Sequence, residues 1–384
     1  MRKRHSFFYS VFRPLVAIYM FFKFGFRYQR EKGLPETFIV LSNHVTDFDP
    51  LFVALSFHEK MYFVCSEHVA RWKLLYKFLS YCFAPIVRYK GTTAASTVME
   101  VLRTVRKGYN VCMFAEGARC WNGVTAPILP STGKMAKSAR CALVTFKIQG
   151  GYFVSPRWSE GGTRRGPISG GVVNVYTREQ LAEMSVTEIN AAITRDLHED
   201  AYERQLAAPA RYKGKQVAVR MENMLFYCPC CRGMNTITSR RDVVSFRACG
   251  MTFRYTEYGL LEGEGLEHKT VKDLFSWQMR QVEQDVKDQV VYTAPDGILK
   301  SIDNHVETMV SQGTVSMDGD RLACGEVQIP LADITDMDMH GKNALVFSVK
   351  STYYELIPDR SAGALKFHMM YQCYKYGTIN KYKK

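Results

Sequence analysis

The stretch Asn43-His44-Val45-Thr46-Asp47-Phe48-Asp49-Pro50 closes the apolar run Thr37-Phe38-Ile39-Val40-Leu41. Strand formers, then a polar turn, then a proline suited to a first helical turn predict a strand-to-helix junction carrying His44 and Asp49. Catalytic groups favour such turns. A neutral imidazole can take a proton from an alcohol, and a carboxylate on its other ring nitrogen sets the tautomer and stabilises the imidazolium. His44 and Asp49 are thus a candidate base and orienter. Two blander readings compete: Asp49 as a mere cap of the helix beginning at Pro50, and Asp47 as the nearer partner of His44 should the turn be helical.

A second apolar run, within Asn110-Val111-Cys112-Met113-Phe114-Ala115-Glu116-Gly117-Ala118-Arg119-Cys120, ends in Glu-Gly-x-Arg. A strand followed by a Gly turn brings an acid and a guanidinium to one edge of a sheet, where an arginine can bind a phosphate bidentately.

Together the two stretches resemble the glycerolipid acyltransferase family, which includes the lysophosphatidic acid acyltransferases, with its His-x-x-x-x-Asp and Phe-Pro-Glu-Gly-x-Arg-Ser motifs. The resemblance implies His44 as general base, Asp49 as its orienter, and Glu116, Gly117 and Arg119 as the acceptor-binding corner. Pro85-Ile86-Val87-Arg88 matches the end of the family's second motif and implies that Arg88 binds the acceptor phosphate. Ala115 stands for the family's Pro, Cys120 for its Ser, and Val144-Thr145-Phe146 where Val-Pro-Val is expected. The resemblance spans 38–205.

The implied reaction is direct acyl transfer: His44 deprotonates a hydroxyl of lysophosphatidate or a related lysophospholipid, which attacks the thioester of acyl-CoA or acyl carrier protein. No cofactor is required. Cys112 and Cys120 lie near the motif and are alternative acyl-enzyme nucleophiles, but a strand cysteine reads first as a small inert hydrophobe. An inactive, lipid-recruited scaffold is the alternative reading of the whole chain.

The chain has 384 residues and a net charge of +14. Its length suits two or three domains, and its charge implies an anionic partner. Residues 1–32 hold eight Lys or Arg against one Glu, interleaved with aromatic and aliphatic residues from Phe7 to Tyr28. Aromatics at headgroup depth and snorkelling cations suit a bilayer interface. Only nine residues separate Arg13 from Lys23, whereas a span needs about 20. The expectation is a peripheral or monotopic protein at the cytoplasmic face of the cell membrane, meeting phospholipid and lysophospholipid but no nucleic acid. An amphipathic helix packed on the protein's own core is the competing reading. Eleven cysteines without a credible export signal suggest a reducing setting and no structural disulfides.

The predicted fold class is an α/β acyltransferase core with a mixed sheet flanked by helices, followed by a small ribbon and a β-rich PH-like domain. Within the core (33–208), strands are expected at 61–65, 86–88, 111–114 and 170–176. Helices are expected at 69–80 and 93–107, with one or two more over 178–206, and Ser185 reads as a capping box. Residues 224–256 look like a degenerate zinc ribbon: Cys228 and Cys231 form one knuckle, the second offers Cys249 alone, and Phe246 stands where its partner belongs. Cys230 is a constrained fourth candidate. Because structural zinc wants four ligands, a metal-free relic held by packing is favoured over zinc. A linker helix packed on a neighbour is expected at 270–292. Residues 297–377, short strands and then a helix, resemble PH-like or GRAM-like domains.

Overall fold

The computed structural model describes residues 3–66, 73–88, 95–303 and 306–377. The expected helical positions 69–72 and 93–94 lie outside them. The chain divides into two units, residues 1–157 with 163–213, and residues 158–162 with 214–384.

In the first unit, seven strands among the described residues form one sheet: β1 (Arg27–Tyr28), β2 (Phe38–Ser42), β3 (Met61–Ser66), β4 (Ile86–Arg88), β5 (Asn110–Phe114), β6 (Ala142–Gln149) and β7 (Ser169–Tyr176), in the order β1-β7-β6-β2-β5-β3-β4. The run from β6 to β4 is parallel, and β7 returns antiparallel to β6. The sheet is therefore mixed. All five residues of β2 are buried because helices cover both faces of a central parallel strand, which is why it reads as an unbroken apolar run. On one face Ile39, Leu41, Val111 and Leu143 meet Val101 of the helix Ala95–Arg106 and Ile189 and Ile193 of the helix Val186–Leu197. Each such aliphatic side chain contributes about 1.5–3 kcal/mol by leaving water.

Three helices close the unit, not one or two: Arg178–Glu183, Val186–Leu197 and Ala201–Ala207. The capping box at Ser185 is present, another at Thr177 starts the first helix, and Asp200, accepting the N–H groups of Tyr202 and Glu203, starts the third and accounts for the extra break.

The amino-terminal helix α1, Lys3–Phe24, runs unbroken through Arg13 and Pro14. At 22 residues it is long and apolar enough to cross a bilayer by length and composition alone. One side docks on the unit: His5, Tyr9, Met20 and Phe24 are buried, Arg13 donates to the His58 carbonyl (3.1 Å), and Phe24 meets Phe52. The other side exposes Phe7, Val11, Leu15, Ile18 and Phe22, a stripe at helical spacing. One side of the helix thus packs on the protein's own core, and the other presents an apolar stripe to the outside.

The second unit contains an antiparallel sheet of four strands, β8 (Ile237–Arg240), β9 (Val243–Phe246), β10 (Thr252–Tyr255) and β11 (Leu261–Glu262). Its helix Val271–Lys287 packs on a neighbour as expected, the terminal helix Leu365–Tyr376, burying Leu274, Phe275, Met279 and Val282. Residues 292–358 form two antiparallel sheets of four and five strands, and the terminal helix follows, the order expected there.

Candidate active site

The carboxyl ends of neighbouring parallel strands are where an open α/β sheet offers its loops to a ligand. Strands β2 and β5 pair directly, with Ser42 opposite Phe114, so the loops beginning at Asn43 and Ala115 leave the sheet side by side. Asn43 ties its loop to the other neighbour, donating to the Ile148 carbonyl (2.9 Å) and accepting from the Ile148 N–H (2.8 Å).

The turn after Asn43 is not helical, and this settles the competition between the two aspartates. Asp49 is fully buried, and its Oδ2 lies 2.8 Å from His44 Nδ1. The same carboxylate accepts the backbone N–H of Val45 (2.7 Å) and Thr46 (3.0 Å) and the Thr46 hydroxyl (2.7 Å). Asp49 is therefore no mere cap: it opens the helix Asp49–Ser56 but reaches back to organise the turn before it. With Nδ1 protonated towards the carboxylate, Nε2 is the basic nitrogen. The ring stacks on Phe114, centroids 4.5 Å apart, and its side chain is 22% exposed.

Asp47 goes elsewhere, to Arg119 Nη1 at 2.8 Å. Arg119 also donates from Nε to the Val45 carbonyl (3.1 Å) and from Nη2 to the Ser155 carbonyl. Glu116, also buried, spans two loops, Oε1 accepting the His44 N–H and Oε2 the Ala126 N–H, each at 2.6 Å. Glu116 and Arg119, to which the resemblance assigns acceptor binding, hold the backbone around His44 in this structure. Both side chains are taken up in bracing the His44 turn, because its backbone N–H and C=O groups need partners once buried.

The cavity beside His44 is about 120 Å³, and its lining includes Arg88 and Gly117 but neither Glu116 nor Arg119. Val64, Val98, Met113, Leu129 and Met135 supply apolar wall. Arg88, the last residue of β4, thus stands where the sequence places its cation. Gly117 has φ of +71°, and a β-carbon built there would lie 2.9 Å from Arg88 Nη1. The left-handed backbone favours glycine here, and an added methyl group would push on the mobile end of the Arg88 side chain.

The cysteines of the site fit packing. Burial pushes the Cys112 thiol well up and that of Cys120 up to about 12, so neither supplies a thiolate near neutral pH. Sequence reasoning missed Asn43 and Thr46, whose only signal is a small polar residue on either side of His44.

Residues 26–149 match the family model described as Acyltransferase. A crystal structure of the 1-acyl-sn-glycerophosphate acyltransferase PlsC from Thermotoga maritima aligns with a TM-score of 0.42 and 14% identity, over 54% of this chain and 84% of that one. No curated protein matches the chain.

Proposed function

We propose, from the premise that residues 26–149 form an acyltransferase-family domain, that the chain moves an acyl group from acyl-CoA or acyl carrier protein to the free hydroxyl of lysophosphatidate or a related lysophospholipid, in phospholipid synthesis. The observation carrying this reading is the buried Asp49 carboxylate on His44 Nδ1, with the ring beside an apolar cavity that also holds Arg88. His44 Nε2 takes the hydroxyl proton as the oxygen attacks the thioester carbonyl. The carbon–sulfur bond then breaks, and the imidazolium returns the proton to the departing thiolate. Arg88 pairs with the acceptor phosphate, the apolar wall receives hydrocarbon, and Glu116 and Arg119 keep the turn in place. The test is acceptor-dependent product formation by the purified chain in vesicles, with labelled acyl-CoA or charged carrier protein, beside His44→Ala. Absence of any His44-dependent product would favour the lipid-recruited scaffold instead.

Gly117→Ala should raise KM for a phosphorylated acceptor about tenfold, equivalent to ~1.4 kcal/mol of lost contact, with a smaller change in kcat. The new methyl group displaces Arg88 without touching His44. Steady-state kinetics with phosphorylated acceptor check it, and an unchanged KM would remove Arg88 from phosphate binding.

The outward stripe of α1 supports a peripheral or monotopic seat at the cytoplasmic face of the membrane. Leu15 is 58% and Phe22 67% exposed. Transferring each side chain into lipid is worth ~1.5–3 kcal/mol, so the double change Leu15→Asp, Phe22→Asp should weaken vesicle co-sedimentation by roughly a hundredfold or more. Undiminished sedimentation would place docking on another surface.

A further inference from the structure

We propose that Cys228, Cys231 and Cys249, with Cys230 as fourth thiolate, form a zinc site in the second unit. The first three sulfurs all lie within 4.8 Å of one another, and Cys228 Sγ is 3.5 Å from Cys249 Sγ. A tetrahedral site with Zn–S bonds of about 2.3 Å separates its sulfurs by about 3.8 Å. A disulfide would need about 2.05 Å. The observed spacing is that of ligands around a shared centre.

Two tight turns bring the sulfurs together. In the first, the Cys228 N–H donates to the Gly233 carbonyl (3.0 Å), the Arg232 N–H donates to the Cys228 carbonyl (2.9 Å), and Arg232 turns left-handed at φ 59°. In the second, between β9 and β10, the Gly250 N–H donates to the Phe246 carbonyl (2.9 Å), with Gly250 at φ +75°. Backbone N–H groups of residues 230 and 231 point at Cys228 Sγ, and that of Met251 at Cys249 Sγ. Such outer donors orient metal-bound thiolates and offset their charge.

Packing alone does not explain this convergence. A cysteine kept as a small hydrophobe is buried, as Cys112, Cys324 and Cys373 are, whereas Cys230, Cys231 and Cys249 are exposed. Exposed thiols contribute nothing to a metal-free relic, so the preference for one, reasonable from the incomplete second knuckle, gives way. Phe246 is buried against Phe253 in the ribbon core and leaves one ligand position to be filled. Cys230, exposed and next to Cys231 in the chain, lies outside the group of three whose sulfurs are mutually within 4.8 Å and is the cysteine left to fill it by turning its side chain inward. Zn²⁺ is the cation of choice for a thiolate-only tetrahedral set.

The test titrates Co²⁺ into the full chain, purified anaerobically with reductant and stripped with chelator. The expected result is one Co²⁺ per chain, with tetrahedral ligand-field absorption and a thiolate charge-transfer band, both removed by Zn²⁺. Cys249→Ser should abolish the tetrahedral spectrum. Cys230→Ser should keep bound Co²⁺ at least tenfold more weakly, with the spectrum moved towards three thiolates, and Cys324→Ser should leave it untouched. Should the serine variants misfold, thiol labelling of the unsubstituted chain still decides: Zn²⁺ should protect the three exposed cysteines, Cys230, Cys231 and Cys249, that chelation leaves open to the reagent. A parent chain without the tetrahedral spectrum, or thiols that label equally with and without Zn²⁺, would overturn the site. A spectrum unchanged in Cys230→Ser would overturn the four-thiolate set.

Discussion

His44→Ala is expected to lower acyl transfer by about 10²–10⁴-fold, the range over which a positioned base contributes, while the protein stays folded. The loss should fall on kcat, since the imidazole acts on the proton that moves and Arg88 is left to hold the acceptor. Folding should survive because the ring is partly exposed and makes one stack, on Phe114. Its removal also leaves Asp49 with the N–H groups of Val45 and Thr46 and the Thr46 hydroxyl. The measurement pairs labelled acyl transfer with a thermal melt. A variant within tenfold of the parent would remove the imidazole from the chemistry, and a collapsed melt would make its role one of stability.

How far the site could be read from the chain follows from which interactions are local. His44 and Asp49 are five residues apart, so strand formers, a turn and a proline place both on one junction while leaving open which aspartate meets the imidazole. Arg88 was legible as the end of a short apolar strand. What could not be read is where a long side chain turns. Glu116 and Arg119 follow their strand as expected, but their partners Ala126, Asp47 and Ser155 belong to other loops, and nothing local marks those loops as short of donors or acceptors. Asp47 pairs with Arg119 and Asp49 with the imidazole, which resolves both questions at once.

The same limit bears on two helices whose packing the sequence pattern leaves open. The helix Val271–Lys287 seemed loosely patterned because Gln278 sits fully buried in its apolar face. Its Oε1 accepts the N–H of Phe226 and Tyr227, and its Nε2 donates to the Met224 carbonyl, a need that arises only once the chain is folded. In α1, apolar residues on all sides hid two stripes, one meeting protein and one facing outward.

Asp49→Asn should show whether the carboxylate works through the imidazole or only through the fold. Its two oxygens together serve one ring nitrogen, two backbone N–H groups and one hydroxyl. A carboxamide has one accepting oxygen. Either it keeps that oxygen on His44 and Val45 and turns its NH₂ towards Thr46, or it flips and holds Nδ1 as an acceptor, which puts the proton on Nε2 and disables the base. In both arrangements the negative charge that stabilises the imidazolium is gone, and activity should fall by roughly 10²–10⁴-fold. Stability should fall too, by about 1–3 kcal/mol for a buried donor left unmatched. The two losses separate in the double variant His44→Ala, Asp49→Asn. If Asp49 is a positioning residue for His44, the double variant transfers acyl groups no more slowly than His44→Ala alone, because residues acting as a unit lose their effect together. The stability loss persists, since Val45 and Thr46 still face the carboxamide. Rate losses that multiply instead would mean that Asp49 serves the reaction by a route that does not pass through the imidazole.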